Sequence, residues 1–401
     1  MVRHLVRIST ALGAAVLLVN CGDGSVEPLP APFTAITAGL AHTCGLVGDG
    51  GAYCWGFNER GELGDGSRRQ RSTPVAVIGE LRFTSLSPGG LHTCGVTTTN
   101  QVFCWGFNLN GQLGDGTNSD RATPGQIAGS ASLASVTAGG SYTCGLTGTG
   151  EGHCWGWNAF GQLGDGGTDD RELPTAIAGG VTFTGISVHG FHSCGRTGAG
   201  EAYCWGQNDY GQLGSGGTAS STTPVIVSGG LTFSTVDVGF HHSCGLVTDG
   251  SAYCWGRNFF GQLGDSGSVA QDSLPVRVVG GRQFKALSVG ANFTCALEQG
   301  TDAAFCWGLN SSGQLGESVE GECSDPDAGA IYQCSFVPVA VRGGIRFESI
   351  SAATQHVCGL SMDQVAYCWG LGSDGRLGDG SEGDGVFSID PVRVAGQGTT
   401  Q

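Results

Sequence analysis

Lysine is nearly absent from this sequence: Lys285 is the only one in 401 residues, and charged residues make up just 13%. Acids outnumber lysines and arginines 34 to 18, the formal net charge is −16, and no basic stripe is visible. A nucleic-acid binder needs such a stripe to meet phosphates, so no nucleic acid is expected as a partner. A membrane-spanning run is missing too. The apolar stretch "ISTALGAAVLLV" from Ile8 has twelve residues, too few to cross a bilayer. Glycine is abundant instead, with 75 copies and no G-X-Y period. Spread among Val, Thr, Phe and Tyr, it predicts many tight turns between short strands.

The twelve-residue run follows the basic start "MVRHLVR", and together they read as a signal peptide over residues 1–20. It ends in "LVNC", Leu18 to Cys21, which resembles the lipobox of bacterial lipoproteins and implies lipidation of Cys21. Asn20 stands where such signals carry Gly, Ala or Ser. Residues 21–32 read as a flexible tether and 397–401 as a tail. Gly22 carries no inner-membrane retention signal of the enterobacterial kind, so an exported chain held at the outer membrane is expected.

Cysteine usage agrees with export. Setting Cys21 aside leaves sixteen cysteines, expected to pair as Cys44–Cys54, Cys94–Cys104, Cys144–Cys154, Cys194–Cys204, Cys244–Cys254, Cys295–Cys306, Cys323–Cys334 and Cys358–Cys368. Cys-Trp-Gly recurs seven times, each inside a unit of four candidate strands; in the first these are "FTAITAG", "HTCGLV", "AYCWG" and "TPVAVI". Units start near residues 33, 83, 133, 183, 233, 284 and 347. The expected fold is all-β: a seven-bladed β-propeller of four-stranded antiparallel blades over residues 33–396, with intra-blade disulfides. Cys44 and Cys54 have their midpoint at Asp49 of the "GDG" turn, so they should face each other across a hairpin. Cys295 and Cys306 enclose one more residue, which requires a bulged or longer turn. Ring closure stays open between one blade per repeat and a last strand, "PVRVAG" from Pro391, shared with the first unit. Between Leu315 and Pro338 an acidic insertion breaks the period, read either as a tolerated surface loop or as a binding loop.

The phrase "CWGxNxxGQLGDG", preceded by "HTCGL" and a glycine turn, resembles the repeat of the regulator of chromosome condensation family over about residues 33–396. The resemblance implies a seven-bladed propeller. The founder's nuclear exchange activity on chromatin conflicts with an acidic, cysteine-rich chain that carries an export signal. Exported bacterial relatives of this propeller type include a β-lactamase inhibitor, a binder without catalysis.

Seven equivalent copies argue against a catalytic role for the repeated residues. The tryptophans Trp55 to Trp369 are expected to pack between blades, and Asn58 and its counterparts to hold the following loop. His42, Cys44 and Cys54 suggest a metal, but each unit offers at most three soft ligands, and Tyr142 and Asn292 are read as replacing the histidine in two units. No metal or cofactor is expected. His153, His189, His241 and Arg196 break the repeat without forming a nucleophile–base pair.

Loops after the first and third strands of a blade share one face. There the variable positions of "CWGxNxxG" hold Phe57, Phe107, Trp157, Phe160, Tyr210, Phe259 and Phe260, and the adjoining turns hold Leu40, Leu91, Tyr142, Phe191, Phe240 and Phe293. Exposed aromatics anchor interfaces or stack on sugars. The expected function is a monomeric, non-catalytic envelope scaffold that recognises an envelope or extracellular protein, or a glycan, through this face. Two alternatives remain: a glycan hydrolase or lyase with acids at the central channel, and a spacer without a ligand.

Overall fold

The computed structural model describes residues 28–129, 132–267, 269–325 and 329–398. The signal segment, Cys21 and most of the tether lie outside the described residues. In the first repeat the chain forms β1 (Phe33–Ala38), β2 (His42–Val47), β3 (Ala52–Gly56) and β4 (Arg71–Ala76). They pair in sequence order as one antiparallel sheet, and β4 starts two residues before the expected Thr73. Six further sheets repeat this order, giving seven blades.

The hairpin register is the one the glycine turn dictates. Val47 N–H bonds Gly51 O at 3.0 Å, and Cys44 lies directly opposite Cys54 with Cα atoms 4.1 Å apart. The same pairing joins strands two and three in each of the other blades. At Cys295–Cys306 the extra residue is absorbed in a longer turn, where Asp302 adopts φ 60°.

One exposed face per blade cannot be left in water, and the tryptophans close it. All seven are fully buried. Each indole N–H reaches a carbonyl of the preceding blade: Trp105 bonds Glu62 O at 2.8 Å, Trp155 bonds Gln112 O at 3.0 Å, and Trp55 bonds Arg376 O at 3.0 Å across the closing seam. Gly64 must accept φ +68°, and a Cβ there would lie 2.7 Å from the Trp105 indole nitrogen, so the "GQLGDG" glycine is a packing requirement.

Histidines add a second belt. His42, His92, His192 and His242 bond a Thr or Ser hydroxyl of the next blade, and His356 bonds Thr43 at 2.9 Å. In blade three Tyr142 reaches His192 O instead, at 2.6 Å. In blade six the residue at this place is Phe293, which pairs with Gly308 as His42 pairs with Gly56; Asn292 lies one residue earlier, in the turn. The sequence reading misplaced it because both neighbours differ from histidine.

Ring closure keeps one repeat per blade. The last strand, Phe387–Arg393, pairs within its own blade, and the seam to blade one is made by side chains and by backbone bonds, Leu29 N–H to Gly396 O at 2.8 Å and Gly380 N–H to Ser72 O at 2.9 Å.

Candidate functional site

Phe57 N–H bonds Ala41 O at 3.0 Å, which places the loop after β3 beside the turn between β1 and β2 on one face of the ring. In six blades an asparagine ties this loop down. Asn58 Oδ1 accepts Leu63 N–H at 2.9 Å while its amide donates to Arg69 O at 2.9 Å, so the two variable residues between Asn58 and Gly61 are held at fixed positions.

Over blades three to five these positions merge into one aromatic network. Trp157, Phe160 and Phe191 meet edge to face with centroids 5.5–5.8 Å apart. Phe191 continues to Phe240 at 6.1 Å and stacks on His241 at 5.3 Å; His241 meets Tyr210, and Tyr210 meets Phe259. Burial lowers the pKa of His189 and of His241 to about 4, so both rings are neutral at pH 7 and act as part of the apolar surface. Trp157, Phe160, Tyr210 and Phe259 are half-buried, each with part of its ring in solvent.

Phe260 does not belong to the accessible face. It is 4% exposed, sits edge to face on Tyr332, and lies under Arg257. The acidic insertion covers it. Glu322–Ser324 and Ile331–Ala340 form a hairpin that extends blade six to five strands, with Cys323 joined to Cys334. Arg257 of blade five holds this hairpin through Asp325 at 2.7 Å and lies over Phe259 at 4.6 Å and Tyr210 at 5.3 Å. A groove of about 450 Å³ runs between Phe259 and the hairpin, bordered by Glu322, Ser324 and Phe336. The insertion is therefore a wall of the aromatic face.

The other expected residues fall outside this network. Phe107 lies under Arg60 in blade two, and Phe57 in blade one has no ring contact among the described residues. Tyr142 and Phe293 are fully buried in the interblade belt. Three residues were missed by sequence reasoning: Arg257, Leu109 at 65% exposure and Ile331 at 70%. Arg257 and Leu109 both occupy variable loop positions, and attention to aromatics alone passed over them.

The central channel does not offer two working acids. Where it meets the loop face, Gly39, Gly89, Gly139, His189 and Phe240 leave about 30 Å³, room for roughly one water. Deeper, one residue per inner strand forms a ring: Thr37, Ser87, Thr137, Ser187, Asp237, Ser288 and Ser351. These side chains stitch blades together, as Ser351 accepts Ala38 N–H at 3.0 Å and Asp237 accepts Val289 N–H at 2.8 Å. Asp237 is the only acid in the ring, whereas glycoside hydrolysis needs two. Among the described residues no group of three or more His, Cys, Asp or Glu could hold a metal ion.

Fold and loop face together define a disulfide-stapled seven-bladed β-propeller. Residues 25–346 match the family model of the RCC1-like domain, and the chain belongs to that family. Among solved structures it is similar to Prp20p from Saccharomyces cerevisiae, described with its binding properties to Gsp1p and histones, at 20% identity and TM-score 0.75 over 92% of this chain and 87% of that one. Human WBSCR16 matches at 20% identity and TM-score 0.73, covering 84% and 88%. The ectodomain of the Arabidopsis thaliana receptor kinase ACR4 matches at 18% identity and TM-score 0.53, covering 85% and 96%. At these identities the likeness is one of fold.

Proposed function

We propose that this chain is an exported, non-catalytic binding propeller, held at a bacterial outer membrane by a lipid on Cys21, that docks another protein on the aromatic face of blades three to five, beside the blade-six hairpin. The observation that carries the reading is the continuous network from Trp157 to Phe259 around Arg257, on loops fixed by asparagine bonds. Tyr, Trp, Phe and Arg are the residues that dominate interface energetics, and rigid loops lose little entropy when they are covered. That yeast RCC1 (Prp20) has been solved bound to Kap60 supports protein docking as a use of this fold. Those partners are not carried over. An acidic surface with an export signal suits a partner in the envelope or outside the cell.

The test is recovery of a partner from envelope extract by the soluble propeller, compared with Trp157→Ala and Tyr210→Ala variants. Each truncation should weaken recovery by about thirtyfold, the effect of losing an anchor worth about 2 kcal/mol. Phe57→Ala, outside the network, should leave recovery unchanged. Equal recovery by all variants would exclude this face.

A further inference from the structure

Blade four departs from its siblings at two residues that face each other. Gly185 stands where the other inner strands carry Ala35, Ser85, Ser135, Thr235, Ala286 and Ser349, and Arg196 where the second strands carry Leu46, Val96, Leu146, Leu246, Leu297 and Leu360. Gly185 and Arg196 are partners in the antiparallel ladder, at the end of the strand remote from the loop face. A Cβ added at Gly185 would meet nothing within 4 Å, and its φ is not in the left-handed region, so the glycine is not required by the backbone. What it leaves is space: a cavity of about 390 Å³ in the channel wall, bordered by Arg196, Thr137, Thr184, Ser187, Ser234 and Asp237.

The polar groups around this cavity are oriented by bonds they already make. Thr137 donates to Ile186 O, Thr184 to Arg196 O, Ser234 to Leu246 O, and Ser187 to the Asp237 carboxylate. With their protons committed, these hydroxyls present acceptor lone pairs to the cavity. Arg196 is the opposite case. Its half-buried side chain has no ion pair or hydrogen bond among the described residues, in a chain where acids outnumber bases. The cavity thus offers several acceptors and one cationic fork, which suits a ligand with several hydroxyl donors and one carboxylate. Its volume is in the range of small-molecule sites, and its hydroxyl lining is more polar than such sites usually are.

We propose that the Arg196 cavity binds a small polyhydroxylated carboxylic acid of sugar-acid type, its carboxylate on Arg196 and its hydroxyls on Thr137, Thr184 and Ser234. This site is separate from the aromatic face and does not depend on the docking of a protein there.

The test is calorimetric titration of the propeller with three probes: glucuronate, glucose and acetate. Glucuronate should bind with a dissociation constant below about 10 mM, and the other two at least about tenfold more weakly, since each lacks one half of the recognised chemistry. Arg196→Leu restores the residue that five other blades carry, so the variant should fold, and it should lose about tenfold or more in glucuronate affinity. Gly185→Val, which places an apolar side chain beside Arg196 and narrows the cavity, should weaken the binding by about tenfold or more. Glucose binding as tightly as glucuronate would overturn the role of Arg196. No heat from any probe, or equal glucuronate binding by wild type and both variants, would overturn the site itself.

Discussion

Glu62 is the one acid at a place where five other blades carry Gln112, Gln162, Gln212, Gln262 and Gln314. Its side chain is fully buried, its Oε2 accepts Arg60 N–H at 2.9 Å, and burial raises its pKa to about 7. A carboxyl raised in the folded state stabilises the fold fully below its unfolded value, and that contribution fades as pH rises through the folded one. Here the window runs from about pH 4.5 to about 7, and a shift of that size corresponds to about 3 kcal/mol. Glu62→Gln should therefore raise the thermal midpoint at about pH 8.5 and leave it unchanged near about pH 4. A shift of equal size at both pH values would sink this account. The substitution was visible in the sequence as "GELGDG" among "GQLGDG" copies. Its energetic meaning was not, because only the fold shows that the position is dry.

At the scale of elements, the seven staples and the four-strand unit could be read directly, since a ten-residue cysteine spacing around a glycine turn, eleven in blade six, admits one hairpin register. The binding face was half legible for a different reason. Periodicity reveals which loop positions vary, but not which of them lie beside a long-range partner. Phe260 looked like Phe259 in sequence, yet an insertion about 70 residues later buries one and leaves the other in solvent. Arg257 and Asp325 joined that insertion to blade five with no local signal. The short strand Glu322–Ser324 pairs with Ile331–Gln333 and is stapled by Cys323–Cys334, so what this ion pair and Phe260 packing add is its docking against blade five. Arg257→Met should speed amide exchange in Glu322–Ser324 by about tenfold or more while shifting the global thermal midpoint by less than about 2 °C. Unchanged protection there would show that the hairpin holds itself.

For the whole molecule, the decisive fact is that every repeat is complete within its own blade. Many propellers could close by sharing a strand, and the sequence allowed it, because "PVRVAG" sits equally well at the end of one unit or the start of another. Here the closing seam carries the same bonds as the internal ones: Trp55 to Arg376 O, His356 to Thr43, and Ser351 to Ala38 N–H. The ends of the described ring also lie together, Leu29 N–H bonding Gly396 O at 2.8 Å. Seam seven therefore carries the full set of bond types found at the internal seams, and nothing in it dictates where the chain must break. Linking residue 398 to residue 28 and opening the chain between Gly180 and Val181, in an exposed turn between blades three and four, cuts no blade sheet. Such a permutant should form the same eight disulfides and melt within about 5 °C of the parent, since the only cost is one new linker. Mispaired cysteines by peptide mapping, or a midpoint lower by about 10 °C or more, would show that closure relies on something other than these seam bonds.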